Sequence, residues 1–221
     1  MSIGDNLIKI KNTLPTQVTL VAVSKTKPNT MLMEAYEVGQ RDFGENYVQE
    51  LVDKQAQLPK DIRWHFIGHL QSNKVKFIAP FVHLIHGVDS LRLLEEINKQ
   101  GAKNNRVINC LLQVHIANEE TKFGFDVAEI LNLDLIDLSQ KYKHVRIVGI
   151  MGMASNTQNS LTVETDFATL KTLYDNLKKK NPQDITILSG GMSGDYEIAI
   201  KYSSNMVRIG STIFGERDYS S

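Results

Sequence analysis

Along this chain, short apolar or β-branched runs alternate with longer segments whose apolar residues recur at helical spacing. The runs fall at 18–24 (VTLVAVS), 62–67 (IRWHFI), 82–88 (VHLIHGV), 107–116 (VINCLLQVHI), 145–150 (VRIVGI), 184–188 (DITIL) and 206–209 (MVRI). A weaker one, RDFG, sits at 41–44. Helix-period segments occupy 29–39, 46–57, 71–79, 89–101, 126–140, 160–180 and 193–203, and residues 2–12 form a leading helix. Strands alternating with helices predict parallel βαβ units. Runs that are apolar throughout suit strands covered on both faces. Eight strands predict an α/β protein with one closed (β/α)8 TIM barrel and an extra N-terminal helix. Without the 41–44 strand an open sheet would return. No GxGxxG follows the first strand, which weakens the dinucleotide-binding form of that sheet.

Composition narrows this picture without redirecting it. The 221 residues carry 25 basic and 25 acidic side chains, so no global field points to nucleic acid or an anionic membrane. The start, MSIGDNLIKIKNTL, scatters charge among its apolar residues, unlike a signal peptide. No stretch approaches the roughly 20 apolar residues of a membrane span. Cys110 stands alone inside an apolar run, as expected of a core residue in a reducing compartment. The expectation is a cytosolic protein with one domain over 1–221. HExxH, CxxC, GxSxG and P-loop patterns are absent, so no metal site is expected.

In such a barrel the chemistry collects where strands run into the following loops. SGGMSGD, after the seventh strand, supplies small residues with Ser193 placed as a helix N-cap. RIGST puts Gly210 and Ser211 just past the eighth. Two such loops together suit a phosphate, gripped by backbone N–H groups that glycine lets approach closely. AVSKTKP ends the first strand with Lys25 and Lys27, which share a face with Val21 and Val23. If that face is the barrel interior, either amine rises into the mouth, where partial desolvation favours the neutral amine that attacks a carbonyl. A strand-end lysine reaching for solvent explains the same pattern. A Schiff-base lysine facing a phosphate suits pyridoxal phosphate or a phosphorylated sugar. Arg208 shares a face with Met206 and Gly210 and, always protonated, suits a pyridine nitrogen. His83 and His86, three apart on one strand, fall on opposite faces and make no ligand pair. His65 and His115 read as candidates for the mouth.

Five stretches in order, AVSKTKP, FGENYVQE, WHFIGHLQSNK, MSGDYEIAI and VRIGSTIFGERDY, closely resemble the YggS/PROSC family of pyridoxal phosphate-binding proteins. The resemblance runs from about residue 6 to 219. It implies a fold-type III barrel like the N-terminal domain of alanine racemase, without the racemase's C-terminal β domain. It also implies that pyridoxal 5'-phosphate (PLP) forms a Schiff base with Lys25 rather than Lys27. Arg208 would face the ring nitrogen, with Asn46 near the ring and His65 as a further ring neighbour. Met192, Ser193, Gly210 and Ser211 would hold the phosphate. Three features depart from the family pattern. Gly190 stands where methionine is common and is expected to loosen its loop, His115 stands where asparagine is common, and 154–163 lacks the usual charged residues.

The resemblance implies a non-catalytic role in PLP homeostasis, with transient delivery to apo PLP-dependent enzymes. The alternative is a PLP enzyme such as an amino-acid racemase. Racemisation needs a base on each face of the substrate carbon, and the racemases take one from a second domain that the chain has no length left to build. Arg208 would also weaken the electron sink that carbanion chemistry requires. Without that second domain and its dimer interface, a monomer is expected.

Overall fold

The computed structural model describes residues 2–117 and 123–216. Asn118, two residues past the fifth apolar run, and the last residues of the FGERDY stretch lie outside the described residues. Eight parallel strands close into a barrel in chain order: β1 (Thr19–Val23), β2 (Asp42–Glu45), β3 (Arg63–Phe66), β4 (Leu84–Val88), β5 (Ile108–Val114), β6 (Val145–Gly152), β7 (Ile187–Ser189) and β8 (Met206–Ile209). β2 pairs with both β1 and β3, so the weakest of the eight runs is a full member of the ring. β8 closes it on β1, with Val21 opposite Arg208.

Around the barrel lie α1 (Ile3–Thr13), α2 (Asn29–Glu37), α3 (Val48–Gln57), α4 (Val75–Ile78), α5 (Leu91–Lys103), α6 (Val127–Asn132), α7 (Leu135–Lys141), α8 (Ser160–Lys180), α9 (Tyr196–Lys201) and α10 (Ser211–Phe214). The single helix expected over 126–140 is two. Asp134 accepts hydrogen bonds from the Ile136 and Asp137 N–H groups, starting α7 and ending the run of α6. α1 begins with a capping box between Ser2 and Asp5. It buries Ile3, Leu7 and Ile10, each contributing about 1.5–3 kcal/mol. Asn6 Nδ2 donates to the Ile213 carbonyl at 3.2 Å, tying this leading helix to α10.

Strand alternation sorts the core into two layers. Leu20 and Ala22 of β1, Phe43 of β2 and Val207 and Ile209 of β8 pack outward against the helices. Val21, Leu84, Leu111, Val148, Met151 and Met206 form a separate cluster inside the barrel. Gly44 leaves room there, since a side chain would press on Val21 and Ile67. This inner layer is the floor beneath the mouth of the barrel.

Candidate functional site

A cavity of about 310 Å³ lies at the C-terminal mouth. Continuing the inward face of β1, Val23 and then Lys25 line it, as alternation predicts. Asn46, Met192, Ser193, Arg208, Gly210 and Ser211 line it too. Seven of the eight expected site residues therefore meet in one place. His65 is not on its wall. It is buried in the barrel interior with Nε2 3.0 Å from Asp42 Oδ1 and Nδ1 2.9 Å from His86 Nε2.

Lys27 also borders the cavity, but its Nζ donates to the carbonyls of Phe214 at 3.2 Å and Glu216 at 2.9 Å. It fastens the end of α10 to the first loop. The two lysines that residue spacing left equivalent thus differ in their surroundings.

The loop bearing Lys25 is held from behind. Lys54 of α3 donates to the Ser24 carbonyl at 2.7 Å and to Glu45 Oε1 at 2.8 Å and Glu50 Oε1 at 2.7 Å. Ser24 Oγ donates to the same Glu45 oxygen at 2.6 Å, and Glu50 accepts the Thr26 N–H at 2.6 Å. Thr26 has φ of 61°, a left-handed conformation unfavourable for a β-branched residue by about 1–3 kcal/mol. The Glu50 bond holds it there, turning the chain directly after Lys25. Burial pushes the Glu45 carboxyl up to about 7, against the pull of Lys54 and Ser24. Residue spacing along the strands gives Glu45, Glu50 and Lys54 no part in the site. The available signal was the four-residue spacing of Glu50 and Lys54, which puts them on one face of α3.

On β8, the strand adjacent to β1, Arg208 is buried, with Nη1 donating to Ser189 Oγ at 2.6 Å and Nη2 to the Gly152 carbonyl at 3.2 Å. Burial pulls its guanidinium down to about 10, so it stays charged at neutral pH. The two small-residue loops complete the wall. Ser193 is not the helix cap expected of it. Asp195 precedes α9 and accepts the Met192 N–H at 2.6 Å, while Ser193 Oγ lies 3.4 Å from the Gly210 N–H, joining the two loops. Gly191 has φ of 95°, and a side chain there would meet Tyr196 Cα at 2.7 Å, so this turn needs glycine. Gly194 lines the cavity, and a Cβ there would meet no atom within 4 Å.

Gly190 does not loosen its loop. Phe167 and Ser204 already fill the place of a side chain, and its N–H donates to the Met206 carbonyl at 3.1 Å. His115 is not on the cavity wall; its N–H pairs with the Phe125 carbonyl at 2.9 Å. The neutral loop after β6 walls a second cavity of about 540 Å³, which shares Met153, Met192 and Gly194 with the first. His83 and His86 also differ from the strand-face expectation. Both rings lie against His65, with centroids 5.4 and 5.2 Å away, because His83 precedes β4. Among the described residues, Asp42, His65 and His83 form the one cluster close enough to ligate a metal. Arg63, however, already donates to both oxygens of the Asp42 carboxylate. Cys110 is buried and its thiol is pushed up by burial, as befits a core residue.

The cavity suits PLP on its own features. It joins an amine, a buried guanidinium, two small-residue loops bearing hydroxyls, and the buried Asn46 Oδ1, which has no hydrogen-bond partner.

The model of the alanine racemase N-terminal domain matches residues 2–218. The pyridoxal phosphate homeostasis protein of Pasteurella multocida is 38% identical, with both chains covered in full. The human protein of that name is 42% identical over 92% of this chain and 78% of its own. PipY of Synechococcus elongatus, solved with and without PLP, is 36% identical, with TM-scores of 0.87 and 0.91 over 97% of this chain and all of PipY. A Clostridium difficile alanine racemase shares the fold at 15% identity, with a TM-score of 0.82 over 58% of that enzyme. By motif, barrel and full-length similarity, the chain belongs to the pyridoxal phosphate homeostasis protein family, also called YggS/PROSC, within the alanine racemase N-terminal-domain group.

Proposed function

We propose that this protein binds PLP as a Schiff base on Lys25 and serves PLP homeostasis as a non-catalytic carrier. The observation that carries the reading is the meeting of Lys25, Arg208 and the Ser193 and Gly210–Ser211 loops around one cavity. Lys25 provides the amine. Ser193, Gly210 and Ser211, with the Met192 backbone, hold the phosphate. Asn46 offers its unpartnered acceptor beside the ring. Bound PLP would supply an aldehyde that condenses with amines and a ring that can act as an electron sink.

Arg208 sets how far that sink is used. A guanidinium donates hydrogen bonds and accepts none, so it leaves a ring nitrogen unprotonated and the ring a poor acceptor of carbanion charge. This supports storage over amino-acid turnover. His65 acts beneath the site, not on the ring. No described helix is long and apolar enough to cross a membrane, and we place the carrier in the cytosol as a monomer serving apo PLP enzymes transiently.

The purified protein should take up PLP, turn yellow and lose that colour in Lys25→Ala. A wild-type protein that stays colourless with added PLP would overturn the reading. Cα-proton exchange of amino acids in deuterated water tests the racemase alternative. We expect far less than about 1 turnover per second, and a rate at or above that would favour an enzyme.

A further inference from the structure

From Arg208 a line of buried polar groups leads away from the cavity, through the barrel, to its opposite rim. Arg208 Nη1 donates to Ser189 Oγ at 2.6 Å. That oxygen lies 3.4 Å from His86 Nδ1. His86 Nε2 lies 2.9 Å from His65 Nδ1, and His65 Nε2 lies 3.0 Å from Asp42 Oδ1. Asp42 opens β2 and Arg63 opens β3, so this end sits at the N-terminal rim. Ser189 and His86 are fully buried, and His65 is 1% exposed.

The chemistry of the two ends gives the line a direction. Arg208 can only donate, and an ionised carboxylate can only accept. Burial pushes the Asp42 carboxyl up, but bonds from His65 and Arg63 outweigh this and hold it below the ordinary carboxylate range. His65 therefore carries its proton on Nε2, leaving Nδ1 to accept from His86 Nε2–H. The remaining His86 nitrogen, Nδ1, then accepts the Ser189 hydroxyl proton, and Ser189 Oγ accepts from Arg208. Along this line each donor meets an acceptor. An imidazolium at His65 would reverse His86, turning its Nδ1–H toward Ser189. The Ser189 hydroxyl proton would then have no acceptor among the described contacts. Burial also pulls His86 well below the ordinary histidine range, chiefly by desolvation, with the Arg208 charge acting in the same direction.

We propose that Ser189, His86 and His65 are positioning residues for Arg208, forming a one-way hydrogen-bond chain, anchored at Asp42, that aims the guanidinium at the bound ring. The role in binding rests on the PLP reading above, while the direction of the chain does not. The first test uses the protein without PLP. Nitrogen-15 NMR of the histidine side chains should show both His65 and His86 as neutral Nε2–H tautomers at pH 7. An Nδ1–H tautomer or an imidazolium at His86 would overturn the proposal.

The second test uses PLP. In His86→Phe and Ser189→Ala, PLP should still attach to Lys25, but with a shifted absorption band and retention weakened by about 10-fold or more, as for a lost bond to a charged group. His86→Gln, which keeps one donor and one acceptor, should restore much of both. Folded variants with wild-type spectrum and affinity would overturn the positioning role. Should His86→Phe fail to fold, the milder Ser189→Ala and the tautomers still decide. A wild-type protein that ignored PLP but showed the expected tautomers would defeat the PLP reading and leave the chain standing.

Discussion

The two walls of the cavity are supported in opposite ways. Behind Lys25, three charged side chains, Glu45, Glu50 and Lys54, grip the loop through Ser24 and Thr26 outside the barrel. Behind Arg208, a serine and two histidines carry the support through the barrel interior, where charge appears only at the ends. The difference follows from what each wall must hold. Lys25 sits on a strained turn, and fixing backbone there takes strong, charge-assisted bonds. Arg208 sits on a regular strand and needs only its side chain aimed. Neutral dipoles do that by accepting its hydrogen bonds at Ser189 and Gly152, without a close ion pair among the described residues.

The largest expected effect tests the charged wall. Lys54→Ala strands the buried Glu45 carboxyl and the half-buried Glu50 carboxylate and should cost about 3–5 kcal/mol in urea unfolding. Ser189→Ala, on the neutral wall, should cost about 1–3 kcal/mol, because Arg208 keeps its bond to Gly152. Equal costs would erase the contrast. A pH titration of stability sharpens it further. With its pKa raised from 4.5 to about 7, folded Glu45 binds its proton more tightly than the unfolded chain does, so its contribution falls as pH rises through that window. Glu45→Gln should flatten this decline, and an unchanged slope would contradict the assignment. Asp42, with its lowered pKa, contributes the reverse: stability lost as pH falls below about 4, where the unfolded carboxyl takes up its proton. The smallest effect is expected for Lys27→Ala. It should cost about 1 kcal/mol, since water can replace its two bonds, and should leave the PLP colour intact.

Much of this was legible in the residues. Continuous apolar runs mark seven strands and RDFG marks the second only weakly, while alternation puts Lys25 and Arg208 on faces that point inward once the barrel closes. The family motifs then separate Lys25 from Lys27. Spacing could not make that choice, because the carbonyls that engage Lys27 lie more than 180 residues away, at Phe214 and Glu216. Ser193 looked like a cap because serine before a helical run commonly is one, but Asp195 lies closer to α9 and takes the Met192 N–H instead. Gly190 looked loose because sequence cannot show Phe167 packed over it. The histidine chain was missed for a related reason. His83 and His86 lie close in sequence, whereas the partner of His86 is His65 on the adjacent strand, brought alongside by the pairing of β3 with β4.

The central claim is that Lys25, and not its neighbour two residues on, carries the cofactor. Incubation with PLP, borohydride reduction and peptide mass spectrometry tests it directly. The account predicts a pyridoxyl phosphate adduct on Lys25 in the wild type and in Lys27→Ala, and none at that position in Lys25→Ala. An adduct on Lys27, or labelling spread over surface lysines, would contradict it.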